Sequence, residues 1–113
     1  MRENEGMNGI PTIAVTDLAD DALVLDIRED DEWAAGRAPG AVHIVMGTLP
    51  GRFGELPQAS PLPVICRSGA RSARVVHWLG VQGVDAVNVD GGMQAWDAAG
   101  KPMTGEAQPP YVA

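Results

Sequence analysis

The segment VICRSGARSARVV, residues Val64 to Val76, contains the only cysteine of the chain, Cys66, and three arginines within eight positions of it. An apolar run, LPVIC, ends at Cys66, and four residues separate the cysteine from Arg71. Ser72 then precedes a stretch with helical apolar spacing, which is typical of a helix start. The segment therefore predicts a strand, a tight loop that begins with a thiol, and a helix.

A loop this short has to curl between the strand and the helix, which turns its backbone N–H groups toward the cysteine sulfur. Such a nest at a helix N-terminus binds anions. The helix dipole, the inward N–H groups and Arg71 favour the thiolate, and such surroundings lower the pKa of a cysteine. Cys66 is therefore a candidate nucleophile; Gly69 suits a positive φ, and Ala70 is small enough to leave the loop open. The alternative is that Cys66 is a small buried core residue.

Short apolar runs that are typical of strands alternate with helix signals along the rest of the chain. Four runs are predicted to be buried strands and a fifth is weaker: Ala22–Ile27, Ala41–Val45, Leu62–Cys66, Ala86–Val89 and Ile13–Val15. Helices are predicted where a capping residue precedes or a glycine follows such a stretch. They are DEWAAG capped by Asp30, LPGRFGEL opened by Thr48, ARVVHWLGVQG capped by Ser72, and GMQAWDAAG ending at Gly100.

This alternation predicts a parallel sheet with helices on both faces. In such sheets, sites form beyond the carboxyl ends of the strands. Cys66 ends the most apolar of the predicted strands, so the topology alone places it where chemistry is expected.

The length of 113 residues fits one domain with one core. We predict a flexible N-terminal tail over residues 1–9, the folded domain over 10–103 and a flexible C-terminal tail over 104–113. The sequence has no run of about 18 apolar residues that could cross a bilayer, and its start, MRENEGMNGI, lacks the features of a secretory signal. We therefore expect a cytoplasmic protein that does not bind membranes.

The formal net charge of −7 argues against nucleic-acid binding. Ten of the 15 acidic residues fall in residues 1–32 and are interpreted as a solvated surface, so Cys66 lies in a locally basic part of the chain. One cysteine cannot form an internal disulfide, and with two scattered histidines it cannot complete a closed zinc site. We expect no metal and no organic cofactor.

Three blocks of the sequence resemble the signature blocks of the rhodanese-like domain family, in the order in which that family has them. They are LVLDIREDDEWAAGRAPGAVHI, VICRSGARSARVVHWLGVQG and VNVDGGMQAWDAAGKPM, which together lie within residues 23–103. The resemblance implies a three-layer α/β/α fold with a five-stranded parallel sheet. It also implies that Cys66 carries sulfane sulfur as a persulfide.

The same resemblance implies roles for the rest of the loop. Arg71 matches the arginine that closes the cradle and, with Arg67 or Arg74, would hold the oxygens of an anionic sulfur donor such as thiosulfate. The candidate substrate-binding residues are Arg67, Ser68, Gly69, Ala70, Arg71 and Ser72. Cyanide, a thiol or a protein would then remove the sulfur, and this acceptor has to come from elsewhere because the chain has one cysteine. A monomer or a weak homodimer is expected.

The Cys-x4-Arg spacing bears on the kind of chemistry. Related phosphatases and arsenate reductases use a loop one residue longer, whose wider bowl surrounds a tetrahedral oxyanion, whereas the shorter loop fits one extra sulfur on Cys66. Asp90 is the only nearby candidate for a general acid, and we interpret it as a turn residue. Two alternatives stay open: a non-catalytic binding or regulatory module on the same fold, and a small phosphatase or arsenate-reductase-like enzyme.

One position departs from the family pattern, because Gly36 and Arg37 stand where members usually have Gly-His. We expect activity to survive this change and Arg37 to pair with an acid among residues 29–32. Asp26 and Arg28 match the family's Asp-x-Arg and are interpreted as a structural hydrogen-bonding pair. The two histidines and three tryptophans are interpreted as structural, although Trp78 could border the site.

Overall fold

Five parallel strands form one sheet in the order β1-β5-β4-β2-β3. The computed structural model describes residues 9–113, and its strands are β1 (Thr12–Ile13), β2 (Val24–Asp26), β3 (Ala41–His43), β4 (Leu62–Ile65) and β5 (Ala86–Val89). The predicted five-stranded parallel sheet is confirmed. Because β4 pairs with both β2 and β5, Cys66 follows the central strand at the carboxyl edge of the sheet.

Within residues 9–113, three α-helices cover the sheet: α1 (Asp30–Ala35), α2 (Ala70–Val81) and α3 (Gly92–Ala98). Successive side chains of each strand point to opposite faces of the sheet and belong to two apolar clusters, one on each face. Leu79 of α2 packs on one face with Val64 and Cys66, while Trp96 of α3 packs on the other with Ile65. The three-layer arrangement is therefore confirmed. None of the helices within residues 9–113 has the length and apolar character needed to cross a bilayer.

A buried ion pair fixes the start of α1 against the sheet. Arg28 Nε and Nη2 donate to the Asp26 carboxylate over 2.9 and 2.7 Å, and both side chains are wholly buried. The remaining donors of Arg28 reach the carbonyl oxygens of Glu32 and Gly36 over 3.3 and 2.7 Å. Since removing one partner of such a pair leaves a buried charge uncompensated, the pair acts as a structural clamp, as interpreted from the sequence.

The cap of α1 is Glu29, one residue before the predicted Asp30. Glu29 and Glu32 form a reciprocal capping box, in which the Glu32 side chain accepts the Glu29 N–H over 3.0 Å. Spacing of three between the two glutamates allows this exchange, and Asp30 becomes the first residue of the helix.

Other elements differ from the prediction at the edges of the sheet. Thr48 does not open a helix: it ends a 3-10 turn, Met46–Thr48, and a second 3-10 segment, Pro50–Glu55, follows. Strand β3 was predicted to be buried, but its residues are partly exposed, Val42 by 38%, because it is an edge strand.

Residues 104–113, for which the sequence predicts a flexible tail, pack against α1 and the residues that follow it in the described structure. Arg37 and Thr104 exchange backbone hydrogen bonds of 2.8 and 2.9 Å. The Tyr111 N–H donates to the Ala35 carbonyl over 3.1 Å, and Val112 packs on the cluster around Trp96. The predicted N-terminal tail lies outside the described residues except for its last residue, position 9.

Candidate active site

The Cys66 sulfur lies buried at the end of β4, inside the first turn of α2. Its Sγ accepts the backbone N–H of Gly69 over 3.1 Å and that of Ser72 over 3.4 Å. Gly69, with φ of 102°, precedes the first residue of α2 and turns the chain so that these N–H groups face the sulfur. The inward N–H groups predicted from the loop length are therefore present.

Two opposed effects set the acidity of this thiol. Burial raises the pKa of Cys66, because it disfavours the charged thiolate. Hydrogen bonds from the Ser72 hydroxyl and from the N–H groups of Ser72, Gly69 and Ser68 favour the thiolate and outweigh burial, so the pKa of Cys66 lies below that of an ordinary thiol. The loop therefore favours the thiolate of Cys66 more than water favours the thiolate of a free cysteine.

Ser72 plays a different part from the cap that the sequence predicts. It is the third residue of α2, and its wholly buried hydroxyl lies 3.2 Å from Cys66 Sγ. The same hydroxyl oxygen lies 2.5 Å from Asn88 Oδ1, and Asn88 Nδ2 donates to the Gly69 carbonyl over 3.1 Å. Asn88 on β5 thus ties the serine and the loop together.

The start of α3 supports the same loop from the other side. The N–H groups of Met93 and Gln94 donate to the carbonyl oxygens of Cys66 and Arg67 over 2.8 and 3.0 Å. Gly92 has a φ of 56°, and a Cβ there would collide with the Cys66 carbonyl oxygen and lie 2.8 Å from the Arg67 carbonyl carbon. A side chain at Gly92 is therefore incompatible with the observed loop.

Arg71, at the start of α2, forms an ion pair with Glu32. Its Nη1 and Nη2 donate to the two carboxylate oxygens of Glu32 over 2.8 Å each. The side chains are only 26% and 14% exposed. The hydrogen bond from Arg71 lowers the pKa of Glu32 to about 2 despite the opposing effect of burial. Arg71 thus has an acidic partner that the sequence analysis did not identify, and its role in binding a donor stays a prediction.

The other predicted site residues divide into backbone donors and exposed side chains. Ser68 adds its N–H to the thiolate environment, whereas Arg67, Ser68, Ala70 and Arg74 have exposed side chains. Arg67 Nε donates to the carbonyl oxygen of Ala113 over 3.0 Å. All six predicted binding residues therefore belong to one continuous segment around Cys66, although only Ser72 directs a side chain to the sulfur.

Glu32 and Asn88 are the site residues that sequence reasoning missed. A polar residue within the apolar strand AVNV was a usable signal, because a buried amide needs partners. The sequence signal for Glu32 was weaker: an acidic residue three positions after Glu29 suggests a capping box. Nothing local links either residue to Cys66.

Arg37 does not pair with an acid among residues 29–32. Its Nη1 donates to Glu106 over 2.7 Å, and its guanidinium lies 4.7 Å from the Trp33 ring centroid. The packing of residues 104–113 on α1 brings Glu106 to this place. His43 is structural as interpreted, since its Nε2 lies 2.7 Å from the Arg28 carbonyl and its ring stacks on Trp33.

Asp90 and Trp96 make contacts that fit the structural interpretation. The Asp90 N–H donates to the Ile13 carbonyl over 2.9 Å, where β5 turns into α3. Trp96 is wholly buried and donates its Nε1 to Pro102 over 2.8 Å. Within residues 9–113, no three His, Cys, Asp or Glu side chains come together as a metal-ligand set.

Known proteins share both the sequence pattern and the fold. The family model of the rhodanese-like domain matches residues 13–99. The chain is 48% identical over 85 residues to the "Putative sulfurtransferase YtwF" of Bacillus subtilis (strain 168), covering 74% of this chain and 82% of that protein. It is 39% identical over 85 residues to a protein of Allochromatium vinosum named "Sulfurtransferase", covering 74% and 79%.

A solved structure agrees with these sequence matches. The crystal structure of a rhodanese-related protein from Thermoplasma volcanium superposes with a TM-score of 0.74 at 31% identity. The match covers 82% of this chain and 96% of that one.

Proposed function

This chain belongs to the rhodanese-like domain family, and from that premise we propose that it is a sulfurtransferase that carries sulfane sulfur on Cys66. The observation that carries the proposal is the enclosure of Cys66 Sγ by the Gly69 N–H, the Ser72 N–H and the Ser72 hydroxyl at 3.1 to 3.4 Å. Relatives named as sulfurtransferases support the same class of reaction.

In the first half-reaction, the Cys66 thiolate attacks the outer sulfur of an anionic donor such as thiosulfate or a persulfide. With thiosulfate, the bond between its two sulfurs breaks, the electron pair leaves with sulfite, and the outer sulfur remains on Cys66 as an anionic persulfide. The converging N–H groups of the loop stabilise negative charge on the sulfur in both states. Arg71 borders the loop and would receive the oxygens of the donor.

In the second half-reaction, an acceptor nucleophile attacks the outer sulfur of the persulfide. Cyanide leaves as thiocyanate, a thiolate leaves as a new persulfide, and the Cys66 thiolate is restored in either case. Because Cys66 is the only cysteine of the chain, a thiol acceptor comes from a small molecule or another protein. No step requires a metal or an organic cofactor.

Intact-mass spectrometry after incubation with thiosulfate tests the proposal. The protein is expected to gain one sulfur atom, which cyanide or dithiothreitol removes, and Cys66→Ser is expected to gain none. Absence of the added sulfur from the parent protein, or its presence on Cys66→Ser, would refute sulfur transfer through Cys66.

A second assay separates this proposal from a phosphatase built on the same fold. The loop from Cys66 to Arg71 is one residue shorter than a Cys-x5-Arg loop, and its N–H groups converge on the sulfur itself. We expect turnover of thiosulfate with cyanide and no hydrolysis of aryl phosphates. Efficient phosphatase activity would show that loop length is the wrong criterion.

A further inference from the structure

Arg71, which we propose receives the oxygens of the donor, is already paired with the carboxylate of Glu32. Arg71 donates to both oxygens of Glu32 through Nη1 and Nη2, which is the parallel geometry in which arginine also binds oxyanions. The oxygens of a sulfur donor can therefore bind only to those N–H groups of Arg71 that Glu32 does not occupy. The donor also meets a pair whose net charge is zero.

Two features hold Glu32 in this position. Its Oε1 accepts the Glu29 N–H over 3.0 Å in the capping box, and its backbone carbonyl accepts Arg28 Nη1 over 3.3 Å. With only 14% of its side chain exposed, the carboxylate is poorly screened by solvent. Glu32 is thus a fixed negative charge beside Arg71.

Starting from the proposed sulfur transfer, we propose that Glu32 is a specificity-determining residue that selects sulfur donors of low negative charge. Its carboxylate lowers the positive potential that Arg71 presents to the donor. This lower potential reduces the binding affinity of a dianion such as thiosulfate more than that of a monoanion such as an alkyl persulfide or a thiosulfonate. The preferred donor class is therefore the monoanionic or neutral sulfane-sulfur compound.

Two donors of similar size isolate the effect of charge. Thiosulfate carries two negative charges and releases sulfite, whereas methanethiosulfonate carries one and releases methanesulfinate; both give up the same outer sulfur to the Cys66 thiolate. Glu32→Gln removes one negative charge and keeps the side-chain length. If the donor charge is assumed to lie about 7 Å from the Glu32 carboxylate, at an assumed effective dielectric constant of about 40, removing the Glu32 charge raises the affinity roughly sevenfold for each unit of negative charge on the donor. The ratio of kcat/KM for thiosulfate over methanethiosulfonate should rise by about that factor.

The experiment measures this ratio in the parent protein, Glu32→Gln, Glu32→Asp and Asp97→Asn. Glu32→Asp keeps the charge and should retain the ratio of the parent to within about twofold. Asp97→Asn removes an exposed charge on α3 and controls for the change in net charge. Glu32→Asp and Glu32→Asn form a second pair, in which a charged and an uncharged side chain have the same, shorter length. This pair provides the same test of charge if Glu32→Gln does not fold.

The outcomes separate this inference from the proposed function. An unchanged ratio in Glu32→Gln, or an equal loss with both donors, would overturn the specificity role while leaving sulfur transfer intact. Failure of the parent protein to take sulfur from either donor would overturn the proposed function itself.

Discussion

Replacing Ser72 by alanine should make Cys66 a weaker acid. The hydroxyl lies 3.2 Å from Sγ, and a hydrogen bond to a charged group contributes about 1.5 to 3 kcal/mol. Asn88 Oδ1, at 2.5 Å, competes for the same proton, so we take the lower end of that range. Since about 1.4 kcal/mol corresponds to a factor of ten, the thiolate-to-thiol ratio at a given pH should fall about tenfold. The Gly69 and Ser72 N–H groups remain in place.

The assay is the rate of alkylation by iodoacetamide as a function of pH. Below the midpoint, the rate of Ser72→Ala should be about a tenth of that of the parent, with the midpoint moved to higher pH and the same plateau at high pH. Ser60→Ala is the matched control, because it also removes a bonded hydroxyl, one that donates to Asp85 on the surface. A lower plateau with an unmoved midpoint would indicate altered access to the sulfur and refute the hydrogen-bond argument.

Two further changes test the support of the loop. Gly92→Ala should cost about 3 kcal/mol in the free energy of unfolding and abolish sulfur uptake, because the Cβ displaces the backbone of Cys66 and Arg67. Gly100→Ala also has a positive φ but no atom within 4 Å, so urea denaturation should show a loss of only about 1 to 2 kcal/mol; equal costs would contradict the steric argument. For Glu32, whose pKa falls from 4.5 to about 2 on folding, the charged form is stabilised in the native state. Its contribution of about 3 kcal/mol is therefore present above pH 5 and declines to about 1 kcal/mol at pH 3. Glu32→Gln should lack this part of the acid sensitivity in urea titrations, and a parallel pH dependence of the two proteins would argue against the pair.

The parts of this protein that the sequence predicts are those with a local cause. Apolar runs place β2, β4 and β5, and the spacing between Cys66 and Arg71 predicts the inward N–H groups because so short a loop has few ways to close. The direction of the Ser72 hydroxyl follows from where α2 begins, at Ala70, which shifts Ser72 from the cap to the third helical position. A capping serine and an inward serine look alike in sequence, and the helix start decides between them.

The ion pairs that sequence reasoning missed join residues far apart in the chain. Arg71 and Glu32 are 39 positions apart, and Arg37 and Glu106 are 69 positions apart. For each arginine, several acidic residues with similar neighbouring sequence are possible partners, so the sequence alone cannot identify the one that binds. The tertiary structure determines the partners, because it places α1 beside the start of α2 and packs residues 104–113 against α1.

The buried Asp26–Arg28 pair connects the stability of the fold to the electrostatics of the site. Placing this pair in the interior costs desolvation energy, and apolar residues could fill the same volume. Arg28 does something that an apolar residue cannot: its outer nitrogens hold the backbone carbonyls of Glu32 and Gly36. Those bonds fix α1 at a distance from which the Glu32 side chain reaches Arg71. The position of the Glu32 carboxylate, to which we assign donor selection as a proposal, is therefore set just after β2, the strand that pairs with β4 ahead of Cys66.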